Sequence, residues 1–123
     1  PEQWQLMTNV NAAAPIFLMQ AFARQASAGA AVVNMLDTQL AAPSHRTFSY
    51  FCAKAALETA TKVAALELAP KIRVNGVAPG LVLPSGNQTE EIFTERQRLT
   101  PLGEGLGTED IAMPCCILPA RAT

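Results

Sequence analysis

Cysteine, net charge and uninterrupted apolar runs are all scarce in this sequence, and each scarcity removes a class of function. The three cysteines are Cys52, alone, and Cys115 beside Cys116. That is neither the even, spaced set of a disulfide framework nor a metal-ligand spacing, so no metal site is read and a reducing, cytoplasmic setting is expected. Nine basic and ten acidic residues leave a formal net charge of −1. The Lys and Arg residues are scattered, so a nucleic-acid or acidic-membrane partner has no electrostatic footprint. The longest apolar stretch, Ala12 to Ala23, is interrupted by Pro15 and Gln20. It falls short of the roughly 20 residues a bilayer span requires and is read as a buried helix. Pro1-Glu2-Gln3-Trp4 has no basic segment leading to a cleavage site, so it is not a signal peptide and is read as lying within a longer chain.

What is present suits one globular unit: 123 residues, of which 50% are hydrophobic, are enough for a single modest core. From Glu2 to about Ala26, Trp4, Met7, Val10, Ala14, Phe17, Leu18, Ala21 and Phe22 recur at three- and four-residue steps, which predicts an amphipathic helix that Pro15 should bend. After Ala28-Gly29, the continuous apolar run Ala30–Leu36 reads as a strand covered on both faces, as in a parallel sheet. Asp37 to Thr47, with Pro43, reads as a loop at the strand's C-terminal end. A second, alanine-rich helix is expected from about Thr47–Ser49 to Ala69, stopped by Pro70. Ile72–Ala78 is a second strand, ended by Pro79-Gly80. Strand, helix and strand make a βαβ unit. Leu81 to Gly107 is long and mixed, with a short helix at Glu90–Leu99, and long loops of this kind commonly cover ligands. Thr108-Glu109-Asp110 opens like a helix that Pro114 and Pro119 should keep short. No internal repeat is present.

Tyr50-Phe51-Cys52-Ala53-Lys54 carries the most chemical information. A four-residue step on a helix puts the phenol and the ammonium on one face. A phenol titrates near pH ~10, but a nearby positive charge and a helix N-terminus both favour the phenolate, so Tyr50 can be tuned into a working acid. The competing reading is a packing aromatic beside a solvated lysine. Asp37 directly follows the first strand, at the edge where open α/β sheets bind ligands, although aspartate is also common there as a simple turn cap. Asn11 lies mid-helix, where Asn is a poor helix former, so either something local needs it or it faces solvent. His45, the only histidine, reads as an exposed loop residue.

Together these residues resemble a known family. Asn9-Val10-Asn11-Ala12-Ala13-Ala14-Pro15-Ile16-Phe17-Leu18, then Val33-Asn34-Met35-Leu36-Asp37, Tyr50 to Lys54, and Arg73-Val74-Asn75-Gly76-Val77-Ala78-Pro79-Gly80 look like successive motifs of short-chain dehydrogenases/reductases. Asp37, thirteen residues before the tyrosine where most members have serine, is similar to the pteridine reductase branch, as is Ala64 to Pro70. The match runs to about Ala112 and corresponds to the second half of the family's domain. The implied fold is α/β, the C-terminal part of a doubly wound, Rossmann-like parallel-sheet domain whose N-terminal half is missing.

The resemblance implies roles as well. Tyr50 would donate the proton that accompanies hydride transfer. Lys54 would bond the nicotinamide ribose and lower the acidity constant of Tyr50, and Asp37 would position or protonate a pterin. Asn11 would shape the helix and hold a relay water. Pro79, Gly80, Leu81 and Val82 would line the nicotinamide, and the loop to Gly107 would cover substrate. The implied cofactor is NADPH, with NADH as the alternative, and the parent would be a homodimer or homotetramer acting on a small molecule. The family's glycine-rich phosphate turn is absent, so this piece is expected to be inactive alone. Residues 113–123 depart from the family's closing strand, which is expected to reflect a frame change or truncation near Ala112. The rival readings are a non-enzymatic remnant and a reductase of another carbonyl substrate such as a 3-ketoacyl thioester.

Overall fold

Two parallel strands and the helix that joins them stand at the centre of the computed structural model, which describes residues 1–43, 45–86 and 88–119. The order is α1 (Glu2–Thr8), a π-helical segment (Asn9–Ala13), α2 (Ala14–Gln25), β1 (Ala30–Met35), two 3-10 turns (Thr38–Ala41 and His45–Thr47), α3 (Phe48–Leu68), β2 (Ile72–Val77), α4 (Glu90–Arg98) and α5 (Thr108–Ile117). β1 pairs with β2 in parallel, from Ala30 opposite Ile72 to Met35 opposite Val77. Parallel neighbours need a crossover of a dozen or more residues, which α3 supplies.

The core lies where α2 and α3 meet this pair. Met19, Ile72 and Val74 are buried there, packed by Ala23, Ala26, Ala30, Val32, Ala64, Ala65 and Leu68. The small side chains on both helices let the backbones approach closely. One polar bond crosses the core. Asn34 of β1 donates from Nδ2 to Thr61 Oγ1 of α3 at 2.9 Å, and Thr61 donates to the Leu57 carbonyl at 2.7 Å. Burying an amide without a partner is costly, so this bond ties strand to helix at one register.

Two prolines act differently from the sequence-based expectation. Pro15 does not bend a regular helix, because the helix widens just before it: the Ala14 N–H donates to the Asn9 carbonyl, five residues back. Pro15 then sits in the first turn of α2, where its missing N–H costs little. Pro114 was expected to keep the last helix short, yet α5 runs ten residues through it. The proline removes one hydrogen bond, and both ends are secured independently. The Asp110 carboxylate accepts the Gly107 N–H at 2.7 Å at the start. At the other end the Arg73 guanidinium of β2 donates to the carbonyls of Leu118 and Pro119, a cation placed at the negative end of the helix dipole.

The continuous helix Glu2–Gln25 is longer than the Ala12–Ala23 run, and its most apolar stretch has a mean hydropathy of 1.2, so by length and composition alone it could cross a bilayer. Helices packed on a sheet can be as long and as apolar, and α1 lies across α3 with Trp4 and Phe48 ring centroids 6.2 Å apart. Much apolar surface is uncovered, including Phe17 at 66% and Leu66 at 82% exposure.

Ile72, 1% exposed, makes Ile72→Ala the change expected to cost most, about 2–5 kcal/mol. Thr61→Val, which leaves Asn34 Nδ2 facing only the Met19 sulfur, is expected to cost about 1–3 kcal/mol. Urea unfolding followed by circular dichroism measures both, and a wild-type midpoint for Thr61→Val would show that the buried amide bond adds nothing.

Candidate active site

The carboxyl ends of the two strands bring the two chain exits side by side. Beyond the ladder, the Leu36 N–H donates to the Val77 carbonyl at 2.7 Å. Thr38 then donates to the Pro79 carbonyl from its backbone N–H at 3.4 Å and its hydroxyl at 3.1 Å. Asp37 is therefore fixed next to the Pro79–Val82 turn, in the crevice position that open parallel sheets use for ligands.

Both carboxylate oxygens of Asp37 are occupied. Oδ1 accepts the Gln39 N–H at 2.8 Å and starts the Thr38–Ala41 turn, while Oδ2 accepts the Tyr50 hydroxyl at 2.7 Å. Asp37 thus caps its turn with one oxygen and joins Tyr50 with the other. Tyr50 lies in the first turn of α3 and Lys54 in the next, with Lys54 Nζ 5.8 Å from the Tyr50 ring centroid. The Lys54 ammonium donates to the Met35 carbonyl at the end of β1, at 2.8 Å. Asp37, Tyr50 and Lys54 form one cluster.

Asn11 is half-buried in the π segment and donates from Nδ2 to the Met7 carbonyl at 3.2 Å. It shares with Lys54, Met35 and Asn34 a groove of about 360 Å³ that opens beside β1. His45 is exposed in its 3-10 turn, near Trp4 and Phe48 and apart from the Tyr50–Asp37 pair. Among the described residues, no group of three or more His, Cys, Asp or Glu side chains could hold a metal.

The acidity of Tyr50 runs against the sequence-based expectation. Burial, then the hydrogen bond to Asp37, then the charge of Asp37 all push the phenol above its ordinary range. A carboxylate in direct contact with the hydroxyl outweighs an ammonium 5.8 Å from the ring centroid. Burial lowers Lys54, and the charge of Asp37 partly offsets this.

The turn after β2 is also held from the other side. Gln97 of α4 donates from Nε2 to the Leu81 carbonyl at 3.0 Å. Neither Gln97 nor Thr38 stood out in the sequence, because an amide or hydroxyl bonded to a distant carbonyl leaves no spacing pattern. The Pro79–Gly80 turn keeps an open side. A Cβ at Gly80 would meet only Leu106 Cδ1 at 3.9 Å and Thr38 Oγ1 at 4.0 Å, so a ligand can approach the backbone closely.

The family described as Enoyl-(Acyl carrier protein) reductase matches residues 1–122, past Ala112, where the motif resemblance ends. Pteridine reductase 1 of Leishmania tarentolae is 40% identical over 101 residues, 75% of this chain and 35% of that protein. FolM alternative dihydrofolate reductase 1 from Brucella canis, complexed with NADP, superposes with a TM-score of 0.88 at 30% identity, over 94% of this chain and 47% of that one. The angucycline C-6 ketoreductase LanV with bound NADP superposes with a TM-score of 0.89 at 27% identity, over 98% and 48%. The chain spans between about a third and a half of the length of these proteins.

Tyr50 is the sole tyrosine, so its ionisation can be followed by absorbance near 295 nm without interference. The midpoint is expected above the free-phenol value of about 10 and is expected to fall in Asp37→Asn. A folded-state value raised above the unfolded one contributes stability that is complete below pH about 10 and is lost as pH climbs through the folded value. The chain is therefore expected to weaken in alkali more steeply than Asp37→Asn does.

Proposed function

Because this chain belongs to the short-chain dehydrogenase/reductase family, we propose that it is the C-terminal, proton-supplying half of an NADPH-dependent reductase acting on a pterin. The observation that carries the reading is the 2.7 Å bond between the Tyr50 hydroxyl and Asp37 Oδ2, with Lys54 on the same helix face at the carboxyl ends of parallel strands.

The residues present fit one end of a nicotinamide cofactor. Lys54 Nζ gives one bond to Met35 and keeps further N–H groups for ribose hydroxyls. The open side of Gly80 and the backbone from Pro79 through Val82 suit a flat ring. The phosphate end is not served, since among the described residues neither strand exits into a glycine-rich turn at a helix N-terminus. A bound nicotinamide supplies the hydride. NADH is the alternative cofactor, and affinity in this half alone is weak.

The proton comes from Tyr50. While Asp37 accepts its hydroxyl, the phenol holds the proton tightly. Pterins carry ring N–H and amino donors, and a pterin that takes over Asp37 Oδ2 removes both causes of the raised phenol that Asp37 provides. Burial, the largest cause, still raises the phenol and the Lys54 ammonium opposes it, so substrate binding loosens the hold on the proton. Asn11 bonds the widened turn of its helix and lines the groove into which Lys54 reaches, a place for a relay water. The segment from Val82 to Gly107, anchored by Phe93 at 5% exposure, covers the substrate.

The exposed apolar faces of α2 and α3, with Phe17, Val63 and Leu66, suit contacts between subunits of a homodimer or homotetramer. They offer no basic surface for nucleic acid, and the reading places the protein in the cytoplasm, off the membrane. Similarity to a ketoreductase favours a carbonyl substrate as the second reading, and Asp37 is the residue that separates the two.

The test joins this chain to the cofactor-binding half of the Leishmania tarentolae enzyme and follows NADPH oxidation with a dihydropterin. Turnover is expected in the joined protein and none in the chain alone. Tyr50→Phe is expected to lose about 100-fold or more in kcat, the usual contribution of a general acid. Asp37→Ser is expected to lose dihydropterin reduction, and full activity in that variant would remove the pterin reading. A joined protein that leaves NADPH fluorescence unchanged would mark the chain as a remnant.

A further inference from the structure

Gln97 takes no part in the chemistry above, yet it holds a peptide group beside it. The Pro79 carbonyl is occupied by Thr38 and the Leu81 carbonyl by Gln97 Nε2 at 3.0 Å. In a trans peptide the C=O and the following N–H point to opposite sides of the chain. Tying the Leu81 carbonyl to α4 therefore turns the Val82 N–H away from α4.

The Gln97 amide is itself confined. The Thr100 hydroxyl lies 2.7 Å from the main-chain carbonyl of Gln97 and 3.2 Å from that of Glu104, which holds the end of α4 against the segment that follows. The chain then reverses at Gly103, whose φ of +72° suits glycine and whose N–H donates to the Thr100 carbonyl at 2.9 Å. This reversal lays Gly105 flat against the Gln97 amide, and a Cβ at Gly105 would overlap the Gln97 Cδ, Nε2 and Oε1 atoms. Gly105 has no positive φ to accommodate, so what a side chain would disturb is the seat of the Gln97 amide. Phe93, buried one turn earlier on α4, anchors the helix that carries it.

We infer that Gln97 is a positioning residue: seated by Gly105, it fixes the Leu81–Val82 peptide so that the Val82 N–H faces the ligand side of the turn. The ligand in this statement rests on the reductase reading; the fixing of the peptide does not.

The two parts separate in one experiment on the full chain, labelled with 15N. Backbone order parameters at Val82 are expected near the rigid value of ~0.85 in the wild type and below ~0.6 in Gly105→Ala, with Ile72 and Val74 unchanged as the control for folding. Gln97→Glu keeps the size but has no donor at neutral pH, so Val82 is expected to loosen at pH 7. It is expected to regain order near pH 4, where a protonated carboxyl can donate again, a recovery that loss of packing would not produce. Val82 remaining rigid in both variants overturns the inference. Titration with millimolar NADPH is then expected to move the Val82 amide signal in the wild type and at least tenfold less in Gly105→Ala. An ordered, Gln97-dependent Val82 that ignores NADPH keeps the positioning role and removes the cofactor from this turn.

Discussion

Everything that concerns the site follows from the parallel register that sets Met35 opposite Val77. Because the strands end together, the residues leaving them run on as neighbours, and the Leu36 and Thr38 N–H groups donate to the Val77 and Pro79 carbonyls before the chains part. Parallel pairing requires a long return path, and that path is α3, whose first two turns carry the phenol and the ammonium back to the same edge. A slip of one residue would move Asp37 by about 3.3 Å and turn the alternating side chains of β1 over, taking Asn34 away from Thr61. The buried amide bond between these two thus guards the register on which the 2.7 Å contact of Asp37 with Tyr50 depends.

Within the cluster, proximity decides between opposing charges. Lys54 favours the phenolate, while burial and then Asp37 oppose it; Asp37 is in contact with the hydroxyl, whereas the ammonium is committed to the Met35 carbonyl. The resting cluster stores its proton on the phenol. The Asp37 carboxylate is in turn held by a second bond, from the Gln39 N–H, that keeps it from swinging freely.

Much of this was legible in the sequence. Both strands and the ends of α3 fall within about one or two residues of the expected limits, because Gly29, Pro70 and Pro79 punctuate the chain where periodicity changes. Asp37, Tyr50 and Lys54 were visible as types at telling places. What was not legible has a common physical origin. Pro15 reads as a bend and Pro114 as a limit on helix length, but how each is accommodated depends on what secures the neighbouring turns, namely the π-helical hydrogen bond to the Asn9 carbonyl and the capping contacts of Asp110 and Arg73. The acidity of Tyr50 shifts the other way because spacing along a helix shows that Lys54 is near but not that the phenol is buried or that Asp37 bonds it. Thr38 and Gln97 act through bonds to backbone carbonyls 41 and 16 residues away, which composition does not record.

The widened turn at Asn9–Ala13 makes one helix serve two masters. An α-helix advances about 100° per residue, and the extra residue held in a π turn offsets the phase of everything before it by about that amount. The stripe containing Trp4 faces α3 while the stripe containing Met19 faces the sheet, and the π turn sets the angle between them. The segment works as a phase shifter whose setting is a residue count. Lengthening or shortening it by one residue would re-aim the N-terminal turn without altering a single side chain, and Asn11, which bonds across that turn, is the residue that marks the setting.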